Sequence, residues 1–265
     1  MSAPAKPPAT PAPSATILML RDGARGMEVF MVKRHHQIDF ASGALVFPGG
    51  KAVQGDYDAA LAGVTDGGKN WSPDMRAIGA AAIREAFEES GILLARSETD
   101  QELISPQRAT ALDHYRVKLD KRELGLYEML RAERLRLAFD QLVHFAHWVT
   151  PKMMPKRFDT HFFLAAAPAG HIGHHDGRES VDSVWLSPDA AIEDRKRWNI
   201  IFPTKLNLMK LAHSKTVMEA LQKARGEKPV TVEPWADTNE KGPIIRIRDD
   251  AGYEQTWAPL KDAAG

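Results

Sequence analysis

Glu85, Glu88 and Glu89 follow Arg84 in the run Arg84-Glu85-Ala86-Phe87-Glu88-Glu89-Ser90-Gly91-Ile92. On a helix, which turns ~100° per residue, the three carboxylates fall within an arc of about 100° on one face. Ala80, Ile83 and Phe87 take the opposite side, which suits packing on a sheet. The acidic face is unfavourable by itself. Glu85 meets Glu88 and Glu89 at i+3 and i+4, and each like-charge pair costs roughly 0.2–0.5 kcal/mol. The run also lies toward the helix C-terminus, where the macrodipole opposes negative charge. Arg84 can offset one carboxylate, Glu88 at i+4, whereas a divalent cation offsets all three. Hard oxygen donors without sulfur point to Mg²⁺ or Mn²⁺. For such a turn taken alone, a solvated acidic stripe is the alternative.

The helix that must carry this face has clear ends. Ser72 suits an N-cap, Pro73 the first helical position, Asp74 the first turn, and Gly91 the stop. Upstream, Ala44 to Phe47 reads as a strand stopped by Pro48-Gly49-Gly50. Thr16 to Leu20 and Met27 to Lys33 read as a hairpin around residues 21–26. Residues 51–72 read as a loop and 101–144 as mainly helical. His144 to Val149, Arg157 to Ala166 and Val184 to Leu186 read as strands, and Thr204 to Ala224 as a helix. Ile244 to Ile247 and Tyr253 to Trp257 suit a terminal hairpin. This mixed order predicts an α/β or α+β layered domain.

Lys plus Arg and Asp plus Glu both number 35, so the formal net charge is zero. That argues against a general nucleic-acid or anionic-membrane coat, and neither partner is expected. The absence of cysteine excludes disulfides and thiolate metal sites. No apolar run is long enough for a transmembrane helix. Residues 1–14 are mostly Ala and Pro, lack a signal-like apolar segment, and read as a disordered tail. A cytoplasmic location is expected, and a homodimer is compatible with the sequence.

The pattern R-E-x-x-E-E-x-G from Arg84 to Gly91, together with Phe47-Pro48-Gly49-Gly50, resembles the signature box of the Nudix hydrolases. Two departures stand out. Gly50 and Arg84 are 34 positions apart, where the usual box has fourteen, so about twenty residues are inserted. The family's glutamate eight positions before the arginine falls here on Arg76, with Asp74 the nearest substitute. An interrupted box of this kind resembles the branch typified by the peroxisomal coenzyme A diphosphatase. Residues 82–89, 157–160 and 185–188 carry the same resemblance, which spans roughly residues 15–200.

The resemblance implies an α/β/α sandwich with a mixed central sheet. The Nudix domain would cover residues 15–225, with insertions near 52–72 and 101–144, and residues 226–265 would form a C-terminal extension. It implies attack of water on the phosphorus of a small-molecule diphosphate, with Mg²⁺ or Mn²⁺ held by Glu85, Glu88, Glu89 and the Gly49 carbonyl. Arg84 would orient a glutamate, with Glu88 and Glu89 acting in catalysis. Glu179 is a loop candidate for the general base, against an ordinary solvated charge. Lys33, Arg34, Gly50 and Arg157 are candidate substrate contacts, and Lys152 and Lys156 are further cations for an extra phosphate. A coenzyme A-directed pattern is partly present: Arg34, Gly43 and Phe47 to Gly50 keep its spacing, but Asp39 stands where a second arginine is usual. Coenzyme A or acyl-coenzyme A is the first substrate class. The alternatives are a nucleotide sugar, a dinucleotide or ADP-ribose, and a catalytically silent ligand sensor. His171, His174, His175 and Asp176 read as a surface loop rather than a metal site.

Overall fold

The computed structural model describes residues 7–35, 43–178, 180–194 and 197–262. A large mixed sheet organises them. Its strands are β1 (Ala12–Gly23), β2 (Gly26–Arg34), β3 (Leu45–Val46), β4 (Gly49–Lys51), β8 (Val143–Val149), β9 (Phe158–Ala166), β10 (Ser180–Leu186) and β11 (Thr231–Val232). The path runs β10-β2-β1-β9-β8-β11, with β3 joined to β2 and β4 to β1. β1 pairs parallel with β9 and antiparallel with β2 and β4.

Both sheet faces are covered, which explains the unbroken apolar run of β1. Alternate residues go to opposite sides: Ala15, Ile17 and Met19 to one core, Leu18 and Leu20 to the other. Helix α1 (Pro73–Ser90) covers the first face. Ser72 caps it by accepting from the Met75 amide at 3.1 Å. Gly91 ends it at φ 72°, a conformation that suits a residue without Cβ.

The stretch read as a loop is folded onto this helix. It forms two short 3₁₀ segments, Gln54–Tyr57 and Ala59–Val64, and β5 (Thr65–Asp66). Leu61 and Val64 enter the α1-side core, and Trp71 stacks on Phe139 and Phe163. After α1 come β6 (Ala95–Ser97), α2 (Pro106–Ala111), α3 (Arg116–Asp120), α4 (Leu126–Ala132) and β7 (Leu135–Ala138). β5, β7 and β6 make a second sheet, so the two insertions pack against each other. Asp66 binds both Arg96 and Arg136 across it. The predicted helical region therefore includes strands, because its apolar residues are shared with a partner distant in sequence.

α5 (Pro188–Glu193) follows β10, and the long helical stretch predicted from Thr204 is two helices, α6 (Phe202–Ala212) and α7 (Val217–Gly226). Leu206, Leu208, Leu211, Ala220 and Ala224 pack in the second core. Thr216 caps α7 through the Glu219 amide. The C-terminal residues build a three-stranded sheet from β12 (Trp235–Asn239), β13 (Gly242–Arg246) and β14 (Trp257–Pro259). The expected hairpin partner is shifted onto Trp257–Pro259 because Tyr253 is buried elsewhere. Its hydroxyl donates to Asn207 and accepts from Trp148 Nε1.

At the other end, β1 begins within the stretch predicted to be a tail. The Ala12 amide donates to the Arg157 carbonyl, and Ser14 is buried against β4 and β9. Small side chains hid a backbone with strand partners on both sides.

Candidate functional site

Arg84 organises the site. Its guanidinium is buried and donates in four directions. Nε and one terminal nitrogen pair side-on with Asp56, both bonds at 2.9 Å. The same terminal nitrogen reaches the Lys51 carbonyl at 2.9 Å. The other donates to Glu85 at 2.7 Å and Glu88 at 3.1 Å. Burial works against the charge on Arg84, yet Glu85, Asp56 and Glu88 outweigh it and hold its pKa above the ordinary value. Asp56 is itself fixed, because one of its oxygens accepts from the Val53 amide at 2.8 Å.

The acidic stripe is not solvated. Glu88 and Glu89 are 7% and 6% exposed, which removes the surface-stripe alternative. Burial, partly opposed by Arg84 and reinforced by Glu85, pushes the Glu88 carboxyl up to about 8. The Gly49 amide donates to Glu89 at 3.1 Å, so the strand-end loop is bonded directly to the helix. Gly49 is needed sterically, because it faces backbone, whereas Gly50 faces the end of the Glu85 side chain. A Cβ on Gly49 would lie 2.4 Å from the Ala15 carbonyl oxygen, and one on Gly50 would lie 2.5 Å from the Glu85 carboxylate. Three carboxylates and a glycine turn thus converge in one place. This all-oxygen donor set fits a hard divalent cation.

The helix end is clamped by segments far away in sequence. Arg116 donates to the Glu88 carbonyl at 3.0 Å, and the His174 amide donates to the Ser90 carbonyl at 2.9 Å. His171 is buried and bonded to the Ile104 carbonyl at 3.1 Å. The histidine-rich stretch is a surface loop, with Ile172 and His174 exposed, but it is anchored through His171 and through backbone and cationic partners invisible in local sequence.

The other predicted site residues separate. Arg34 is partly buried, shares its sheet face with Val32, and its Nε has no hydrogen-bond partner among the described residues. Lys33 pairs through its backbone with Leu45 and Asp182. Arg157 does not fit the role of substrate contact. Its nitrogens donate to the Thr150 carbonyl, the Ala9 carbonyl and Glu233, at 2.9, 2.8 and 2.6 Å, and so tie three chain segments together. Glu179 and Asp39 lie outside the described residues.

A sequence profile of the NUDT19 Nudix domain matches residues 65–209, more than half of the chain. The chain belongs to the Nudix hydrolase family. It is 28% identical over 233 residues to a protein of Xenopus laevis named acyl-coenzyme A diphosphatase NUDT19, covering 72% of this chain. It spans 61% of that relative's length. The fold is similar to the crystal structure of a Nudix hydrolase from Alicyclobacillus acidocaldarius, at a TM-score of 0.62 and 25% identity, covering 80% of this chain and 96% of that one.

Within the Nudix box, Asp56 is the residue sequence reasoning missed. Counting back from Arg84 across the insertion reaches Arg76, which instead donates to the Trp71 carbonyl at 3.1 Å. Counting forward from Gly50 by the same family spacing reaches Asp56. The insertion follows that position, so the box is split after its first acidic residue and reassembled in space.

Gly50→Ala tests the close approach of loop and helix. The new methyl must displace the Glu85 carboxylate, the movable end of a side chain, so the stability cost should be small, about 1 kcal/mol. Thermal unfolding should register that loss, together with weaker binding of Mn²⁺. Wild-type values for both would show that loop and helix are not in this contact.

Proposed function

We propose that this Nudix hydrolase is a diphosphatase that cleaves the pyrophosphate bond of coenzyme A or acyl-coenzyme A with the help of Mg²⁺ or Mn²⁺. The carrying observation is the convergence of Glu85, Glu88 and Glu89 with the Gly49–Gly50 turn around a buried arginine. The name of the Xenopus laevis relative supports the substrate class. Glu85, Glu88, Glu89 and the Gly49 carbonyl would hold the metal, whose chemistry is neutralisation of diphosphate oxygens as water attacks phosphorus. Arg84 acts as a positioning residue, because its bonds to Glu85 and Glu88 aim both carboxylates. Arg34 is the candidate cation for a phosphate beyond the scissile bond. Glu179 is kept as a candidate base.

Asp39, in place of the second arginine of the coenzyme A-directed pattern, favours a second reading with a nucleotide sugar, a dinucleotide or ADP-ribose as substrate. Product analysis with Mg²⁺ or Mn²⁺ separates the two. Coenzyme A should yield 3′,5′-ADP and a phosphopantetheine. Cleavage of ADP-ribose with coenzyme A left intact would transfer the assignment to the second reading. No cleavage of any diphosphate would leave the silent sensor.

A further inference from the structure

β8 and β9 turn several ligand-type side chains onto the sheet face that α1 covers. His147 is the register partner of His161, and Val149 that of Asp159. Phe145, Ala146 and Trp148 all belong to the opposite core, and the irregularity between His144 and Ala146 keeps His144 on the histidine side. The rings confirm the shared face. His147 stacks on His161 with centroids 4.0 Å apart, and His144 lies 5.0 Å from His161.

One ligand atom each from His147, Asp159 and His161 lies within 4.8 Å of the others. Tetrahedral ligands at zinc–nitrogen distances of ~2.0–2.1 Å sit about 3.3 Å apart, so side-chain adjustments on the order of 1 Å complete the set, with His147 Nε2 and Asp159 exchanging their mutual hydrogen bond for the ion and moving apart. Both rings are also oriented from behind. The Thr231 hydroxyl is 2.8 Å from His147 Nδ1, while His147 Nε2 faces Asp159. His144 Nε2 is 3.1 Å from His161 Nδ1, which leaves His161 Nε2 for a ligand bond. Partners on the outer nitrogens are the usual means of fixing metal-binding histidines.

We propose that His147, Asp159 and His161 form a second metal site that takes an imidazole-preferring divalent ion such as Zn²⁺. The site is separate from the carboxylate cluster: Ala15 lies between Gly50 and His161 in the sheet, and His147 is one strand further out. The ligand chemistry differs as well. Imidazoles suit Zn²⁺, Ni²⁺ or Cu²⁺, whereas the glutamates suit Mg²⁺ or Mn²⁺. Asp159 is partly exposed, so the site has an entry path and room for a water ligand. The proposal does not depend on the diphosphatase reading.

The test is calorimetric titration of the chelator-treated full chain with Zn²⁺ in excess Mg²⁺. One Zn²⁺ should bind per chain, and binding should persist in the Glu85→Gln/Glu89→Gln double variant. Thr231→Val should weaken it by roughly 10-fold or more, and His147→Ala and His161→Ala should abolish it. Equal Zn²⁺ isotherms for wild type and both histidine variants would overturn the site. If those variants fail to fold, Co²⁺ added to the wild-type chain decides. Strong visible d–d bands of a tetrahedral nitrogen and oxygen set are expected, and only the faint spectrum of octahedral oxygen coordination would overturn it.

Discussion

Glu89→Gln should lower turnover of a diphosphate substrate by about 1,000-fold, equivalent to roughly 4 kcal/mol of transition-state stabilisation. The lost charge sits where hard cations would be held. Stability should barely change. The glutamine retains a carbonyl oxygen for the Gly49 amide, which reaches Glu89 at 3.1 Å. The substitution also removes one negative charge from a crowded helix end, which relieves like-charge repulsion. The melting temperature should therefore stay within a few degrees of wild type while Mg²⁺-dependent turnover collapses. Undiminished turnover at saturating Mg²⁺ would remove Glu89 from the metal set and weaken the case for the whole stripe.

Asp56→Ala should produce the opposite balance, with a large loss of stability as its primary effect. Arg84 is 5% exposed, and Asp56 provides two of its five donated bonds. Removing one partner of a buried ion pair costs about 3–5 kcal/mol; here Glu85 and Glu88 still face the guanidinium, which puts the cost at the lower end, about 3 kcal/mol. For a chain of this size that corresponds to a fall in melting temperature of roughly 10 °C. Turnover should fall too, since Arg84 positions Glu85 and Glu88 only while its other end is anchored. Asp56→Asn keeps an acceptor and should be milder. The double variant Asp56→Ala/Arg84→Met also takes the cation away from Glu85 and Glu88 and should be no more stable than Asp56→Ala alone. A single variant as stable as wild type would mean that Asp56 and Arg84 are not paired.

These two expectations divide the site into parts. Glu89 belongs to the face that would meet metal and substrate. Asp56 belongs to the scaffold that aims that face, and it comes from the segment just ahead of the insertion rather than from the catalytic helix. The insertion is thereby tied to the site: it starts directly after the turn that carries Asp56, and its Leu61 and Val64 anchor it in the α1-side core.

Local chemistry made the catalytic helix legible in the linear sequence. Ser72, Pro73 and Gly91 bound α1 at the predicted residues, because capping depends on neighbours within a single turn. The grouping of Glu85, Glu88 and Glu89 follows from helical periodicity alone, while the family resemblance, which the profile match supports, came from the motif residues Arg84 to Gly91 and Phe47 to Gly50. Burial of that stripe, the pairing of Arg84 with Asp56, the internal engagement of Arg157 and the meeting of His147 with His161 are of another kind. Each joins positions that only the sheet or the folded insertion brings together. A residue's partners across space are set by strand order, register and packing, and no local spacing rule encodes them.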